Sequence, residues 1–161
     1  MALREIKPFK DLIEGLVGRS VEFGFGPLVD PDGRNTVGVY VNPSNVMSAL
    51  VLMDRPLTAY LGAALGLVPA GIVEESLAEG VVPENLQENA GEVLNVIAAV
   101  LGDVLGVHQR LDVIFPPTQG LPGPVNTFAG DATMSRLDMS LDIAGYGSGN
   151  MSVVAFEQHP S

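Results

Sequence analysis

Residues Pro83–Leu105, PENLQENAGEVLNVIAAVLGDVL, decide how the rest of the chain is read. At about 100° per residue, Leu86, Ala90, Val93, Ile97, Leu101 and Val104 fall on one side and predict a long helix with a core-facing stripe. Glu88, Glu92, Asn95 and Ala99 fall within about 60° of one another on the far side, because residues three and four apart stack on a helix. Gly91 and Gly102 flank that row. Glycine inside a helix costs roughly 1 kcal/mol against alanine. Small residues around two acids and an amide therefore read as room for another backbone to approach; the plainer alternative is a solvated helix face.

Upstream, Phe9, Leu12, Ile13, Leu16 and Val17 recur at helical spacing as far as Gly18, and Val21, Phe23 and Phe25 alternate as a strand. Asp30-Pro31-Asp32-Gly33 is turn chemistry; it echoes the start of a calcium loop but lacks the later ligands and the closing glutamate. Val37, Val39 and Val41 share one strand face. After the turn Asn42-Pro43-Ser44-Asn45, the run Val46–Met53 is apolar on both faces apart from Ser48, as in a central strand. Asp54 can cap a helix whose first turn holds Pro56, predicting a helix over Pro56–Leu65. Ala70–Glu79 reads as a short helix or irregular connection, and Pro83 as another first-turn proline.

Downstream of the long helix come a strand, Arg110–Phe115, and a Gly/Pro-rich loop, Pro116–Pro124. Leu137, Met139, Leu141 and Ile143 then alternate with Asp138, Ser140 and Asp142, and the two aspartates read as a solvent face without function. A turn over Gly145–Gly149 leads into a last strand, Met151–Phe156. Helix, three strands, two or three helices and three strands predict an α+β fold: a single-domain sandwich over residues 1–161, of a mostly antiparallel sheet with helices packed on it.

At 161 residues and 47% apolar, such a domain buries about 70% of the surface its unfolded chain exposes. Cysteine is absent, so disulfides and thiolate metal sites are excluded; His108 and His159 are too few and too far apart in sequence for a metal site. A net charge of −11 argues against nucleic acid and anionic membrane as partners. The N-terminal residues lack a signal-peptide apolar segment, and the apolar runs are too short to span a bilayer, so a cytoplasmic protein is expected.

The run Gly91-Glu92-Val93-Leu94-Asn95-Val96-Ile97-Ala98 resembles the signature helix of the bacterial chemotaxis phosphatases of the CheX/CheC/FliY family. Asp112-Val113-Ile114-Phe115-Pro116-Pro117-Thr118 is similar to the family's strand ending in Pro-Pro-Thr, at a similar distance downstream. With the looser match over Val37–Leu65, the resemblance covers roughly residues 9–156. Glu-x-x-Asn occurs once, which places the chain nearer CheX than the family's two-helix members.

The resemblance implies hydrolysis of the aspartyl phosphate on a CheY-like response regulator, with the helix inserted into the regulator's site. Asn95 would orient the attacking water and Glu92 would pair with a partner lysine. No cofactor of the protein's own is implied; Mg2+ is expected on the partner. Glu88, Gly91 and Ala99 are the expected partner-binding positions. Glu88 stands where the family has a small polar residue and Ala99 where it often has glycine, so both bear on whether turnover is retained. The alternative is a non-catalytic CheX-like docking or scaffold module. The resemblance also implies a homodimer, to which Met151–Phe156 adds the look of an unprotected edge, apolar and without Lys, Arg or Pro; the alternative is a strand central within one sheet.

Overall fold

Helical and alternating periodicities translate into five helices and six strands among the residues that the computed structural model describes, 3–32 and 34–157. In chain order these are α1 (Lys7–Val17), β1 (Val21–Phe25), β2 (Thr36–Val41), β3 (Met47–Met53), α2 (Arg55–Gly66), α3 (Ala70–Ala78), α4 (Glu84–Leu105), β4 (Arg110–Phe115), α5 (Gly123–Ala129), β5 (Ser135–Ile143) and β6 (Gly147–Ala155). The strands form one antiparallel sheet in the order β1-β5-β6-β3-β2-β4. Both of its faces are covered. Ala49, Val51 and Met53 of β3 meet α1, α2 and α4 through Phe9, Ile13, Leu57, Leu61, Val93 and Ile97. Leu50 and Leu52 point the other way, against Val125 and Phe128 of α5 and Val29. That two-sided burial is why the Val46–Met53 run carries no polar alternation.

Local chemistry sets where the helices start and stop. Gly18 closes α1 in the left-handed conformation, at φ 68°, where a side chain would be strained. Asp54 accepts from the Leu57 N–H at 3.0 Å to cap α2, and its second oxygen accepts from the Asn150 N–H at 3.1 Å, tying the helix start to β6. At Gly62 a Cβ would stand 2.2 Å from the Leu86 carbonyl oxygen, so α2 and α4 meet backbone to backbone. Asn89 reinforces the crossing by donating to the Gly62 carbonyl at 3.0 Å.

Several expectations are corrected. Met151–Phe156 is not an edge: β6 lies between β5 and β3, with Val153 and Val154 buried on opposite faces. Its apolar character comes from being central. The free edges are β1 and β4. β6 also begins at Gly147, shortening the preceding turn, and Pro116–Pro124 is not all loop, since α5 starts at Gly123. Pro83 is extended (ψ 147°) and precedes α4 rather than entering its first turn. Val41 leaves the register of Val37 and Val39 at a bulge after Tyr40. Val46 is exposed ahead of β3, and Phe25 is 76% exposed at the end of β1. Asp138 is half-buried, accepting from Ser152 at 2.7 Å and pairing with Arg136 at 3.1 Å. Asp30 does form a turn, accepting from the Asp32 N–H; Gly33 and His159 lie outside the described residues. No helix among the described residues is long and apolar enough to cross a membrane.

Candidate functional site

Helix α4 seats itself on the sheet through Leu86, Ala90, Val93, Leu94, Ile97 and Leu101, all buried. Leu94 joins the expected stripe, whereas Val104 is only half-buried against it. A glycine on β2 makes room: a Cβ on Gly38 would stand 3.3 Å from a Leu94 methyl. Beside it, Tyr40 is fully buried and donates its hydroxyl to the Leu94 carbonyl at 2.5 Å. Burial pushes the phenol pKa far above its ordinary value, so the group stays a proton donor. The accepting carbonyl is part of the peptide unit leading into Asn95, so a central strand holds the turn that carries that residue.

On the outer side, Glu88, Glu92 and Asn95 are exposed. Among the described residues none of the three side chains has a hydrogen-bond or ion-pair partner, whereas Gln87 and Asn89 on the same turns are engaged. They border an open groove of about 630 Å³ between α4 and the β4 edge. Leu111, Ile114, Pro116 and Pro117 form its opposite wall, so the Pro-Pro segment that follows β4 lies across from the Glu-x-x-Asn face. Gly91 lines the same groove, and a Cβ there would stand 3.2 Å from the Ile114 methyl. Its smallness thus serves the fit of α4 on β4.

The structure brings together four of the five residues singled out in sequence. Ala99 lies apart, in a second hollow of about 600 Å³ with Gly102, Asp103, His108 and Gln109. Gln87, unremarked in the sequence, also lines the groove, and it donates to the Val82 carbonyl at 2.7 Å, holding the segment before α4 against the helix. Tyr40 was equally silent; an aromatic among valines is its only sequence signal.

The chemistry available is polar and uncharged-to-anionic. A carboxamide at Asn95 both donates and accepts, as needed to hold a water molecule in a fixed direction. A carboxylate one turn away at Glu92 can take an ammonium group.

No protein-family model and no curated protein matches the sequence. Solved structures do match in fold. The FliM middle domain from H. pylori superposes with a TM-score of 0.63 at 9% identity, covering 92% of this chain and 83% of that one. A chain of the CheX–CheY–BeF3–Mg2+ complex from Borrelia burgdorferi gives 0.50 at 12% identity, covering 95% and 97%. The chemotaxis protein CheX from Desulfovibrio desulfuricans gives 0.51 at 11%, covering 93% and 97%. The fold is therefore CheX-like, and the FliM middle domain shares it.

Proposed function

We propose that the chain is a phosphatase for the aspartyl phosphate of a receiver domain, working through the α4 face. The observation that carries this reading is the pair Glu92 and Asn95: one helical turn apart, exposed, without partners among the described residues, and facing Pro116 and Pro117 across one groove. An acyl phosphate already has a good leaving group, so a catalyst chiefly has to align water with phosphorus. Asn95 does this without repelling the phosphoryl dianion. Glu92 sets the register by pairing with a lysine of the receiver, which brings its own Mg2+. The Borrelia CheX is bound to CheY in its complex, and a receiver is the partner proposed here. This reading puts the protein in the cytoplasm with its substrate.

A docking module without turnover is the second reading. The FliM structures of this fold solved in complex with FliG and with SpeE favour it, as does the bulky acid Glu88 in the groove. Phosphate release from labelled receiver domains of the host separates the two. The phosphatase reading requires faster loss of label with at least one receiver; tight binding with unchanged loss would establish the docking module instead.

We also propose a homodimer through β1. This edge lies at the opposite end of the sheet from β4, and Phe25 and Leu28 beside it are 76% and 59% exposed. Pairing there would leave the α4–β4 groove open.

A further inference from the structure

A smaller pocket of about 220 Å³ adjoins the groove and shares Gln87 and Pro117 with it. Its remaining polar walls are Arg34, Arg55 and Thr118. Thr118 arrives there because β4 ends at Phe115 and Pro116-Pro117 carry the chain along the first turns of α4. Two arginines converging on one pocket stand out in a chain with 8 basic and 19 acidic residues. Of the other four guanidinium groups three are engaged among the described residues, and Arg4 near the N-terminus is not: Arg19 donates to the Ala144 carbonyl, Arg110 pairs with Asp112, and Arg136 with Asp138. Arg34 and Arg55 make no ion pair or side-chain hydrogen bond among the described residues. Arg34 also holds a left-handed backbone, φ 57°, which is uncommon for a residue with a long side chain.

We propose that Arg34, Arg55 and Thr118 form an oxyanion subsite that grips a carboxylate side chain of the protein docked in the groove. Guanidinium groups take carboxylates bidentately, and the threonine hydroxyl adds a donor. The pocket is wide enough for one side-chain head and too small for a folded element. The docking face is thereby bipolar: Glu92 takes a cation and, across Gln87 and Pro117, the arginines take an anion. Opposite charges at two points fix the orientation of a partner better than either alone. The inference rests on reading the groove as a docking face but not on any turnover there.

The test is an NMR titration of the whole chain, following the arginine Nε–H signals at about 0.15 M salt, where charges beyond ~8 Å are screened. The probes are an alternating Asp/Glu hexapeptide and, separately, inorganic phosphate. The proposal requires saturable shifts of Arg34 and Arg55 with the peptide, and at least tenfold weaker binding of phosphate. Arg34→Gln and Arg55→Gln should each weaken the peptide about tenfold, with partial recovery in the lysine variants, while Lys10→Gln, the same change of charge on α1, leaves it unchanged. Unshifted Arg34 and Arg55 signals would overturn it, as would peptide binding indifferent to both substitutions. Phosphate binding as tight as the peptide would overturn it too, by making the pocket a small-anion site. A chain that dephosphorylates no receiver could still pass, so this test fails separately from the phosphatase reading.

Discussion

The proposed role of Glu92 needs a free carboxylate, and among the described residues nothing pairs with it; the same holds for the Asn95 amide. Replacing Glu92 by alanine should leave folding intact and weaken binding to the receiver. Combining it with removal of the receiver's active-site lysine should give much less than the sum of the single losses. Additive losses in that double-mutant cycle would break the proposed ion pair. Tyr40 is the converse case, a residue wholly spent inside. Tyr40→Phe removes the hydroxyl held by the Leu94 carbonyl and should lower stability by about 1 kcal/mol in denaturant unfolding. Glu92 and Asn95 were legible in the sequence because three-residue spacing fixes their common face whatever surrounds the helix. Tyr40 was not, since its partner lies 54 residues away and no local pattern encodes that meeting.

Two glycines on neighbouring elements make opposite predictions. Gly62 of α2 faces the Leu86 backbone of α4, which cannot yield, so Gly62→Ala should cost about 2 kcal/mol or more despite its better helix propensity. Gly91 of α4 faces only the tip of Ile114, which can turn aside. Gly91→Ala should therefore keep or slightly raise the melting temperature while narrowing the groove and weakening the receiver. A matching loss of stability in both variants, read by thermal unfolding, would contradict this contrast. Elements with a clean period were legible: α1, α4 and β5 lie close to where apolar spacing puts them, and β3 where its unbroken apolar run does. The short α5 was hidden by Pro122, Gly123 and Pro124, whose turn chemistry also suits a helix start. The place of β6 was hidden for a different reason. An apolar strand without charges fits a central position and an unprotected edge alike, and only the partners of β3 and β5 decide between them.

At the scale of the whole molecule, one end of the sheet carries the groove and the other carries exposed Phe25 and Leu28. Light scattering at micromolar concentration should give twice the 16.8 kDa chain mass, falling to the single mass in Phe25→Lys. A single-mass species for the unaltered chain would remove the dimer. The antiparallel α+β sheet with its helices was readable in the sequence, because order of elements constrains layers strongly. The Arg34–Arg55 pocket was not, since residues from a loop, a helix start and the segment after β4 meet only in three dimensions. The proposed catalysis depends on α4 and the amide of Asn95. The most direct measurement is the rate of phosphate release from a receiver domain that the chain binds, compared between the unaltered protein and Asn95→Ala at saturating concentration. A fall of about 10²-fold, the scale of losing one transition-state hydrogen bond, with binding unchanged, is the predicted result; equal rates for the two proteins would contradict it.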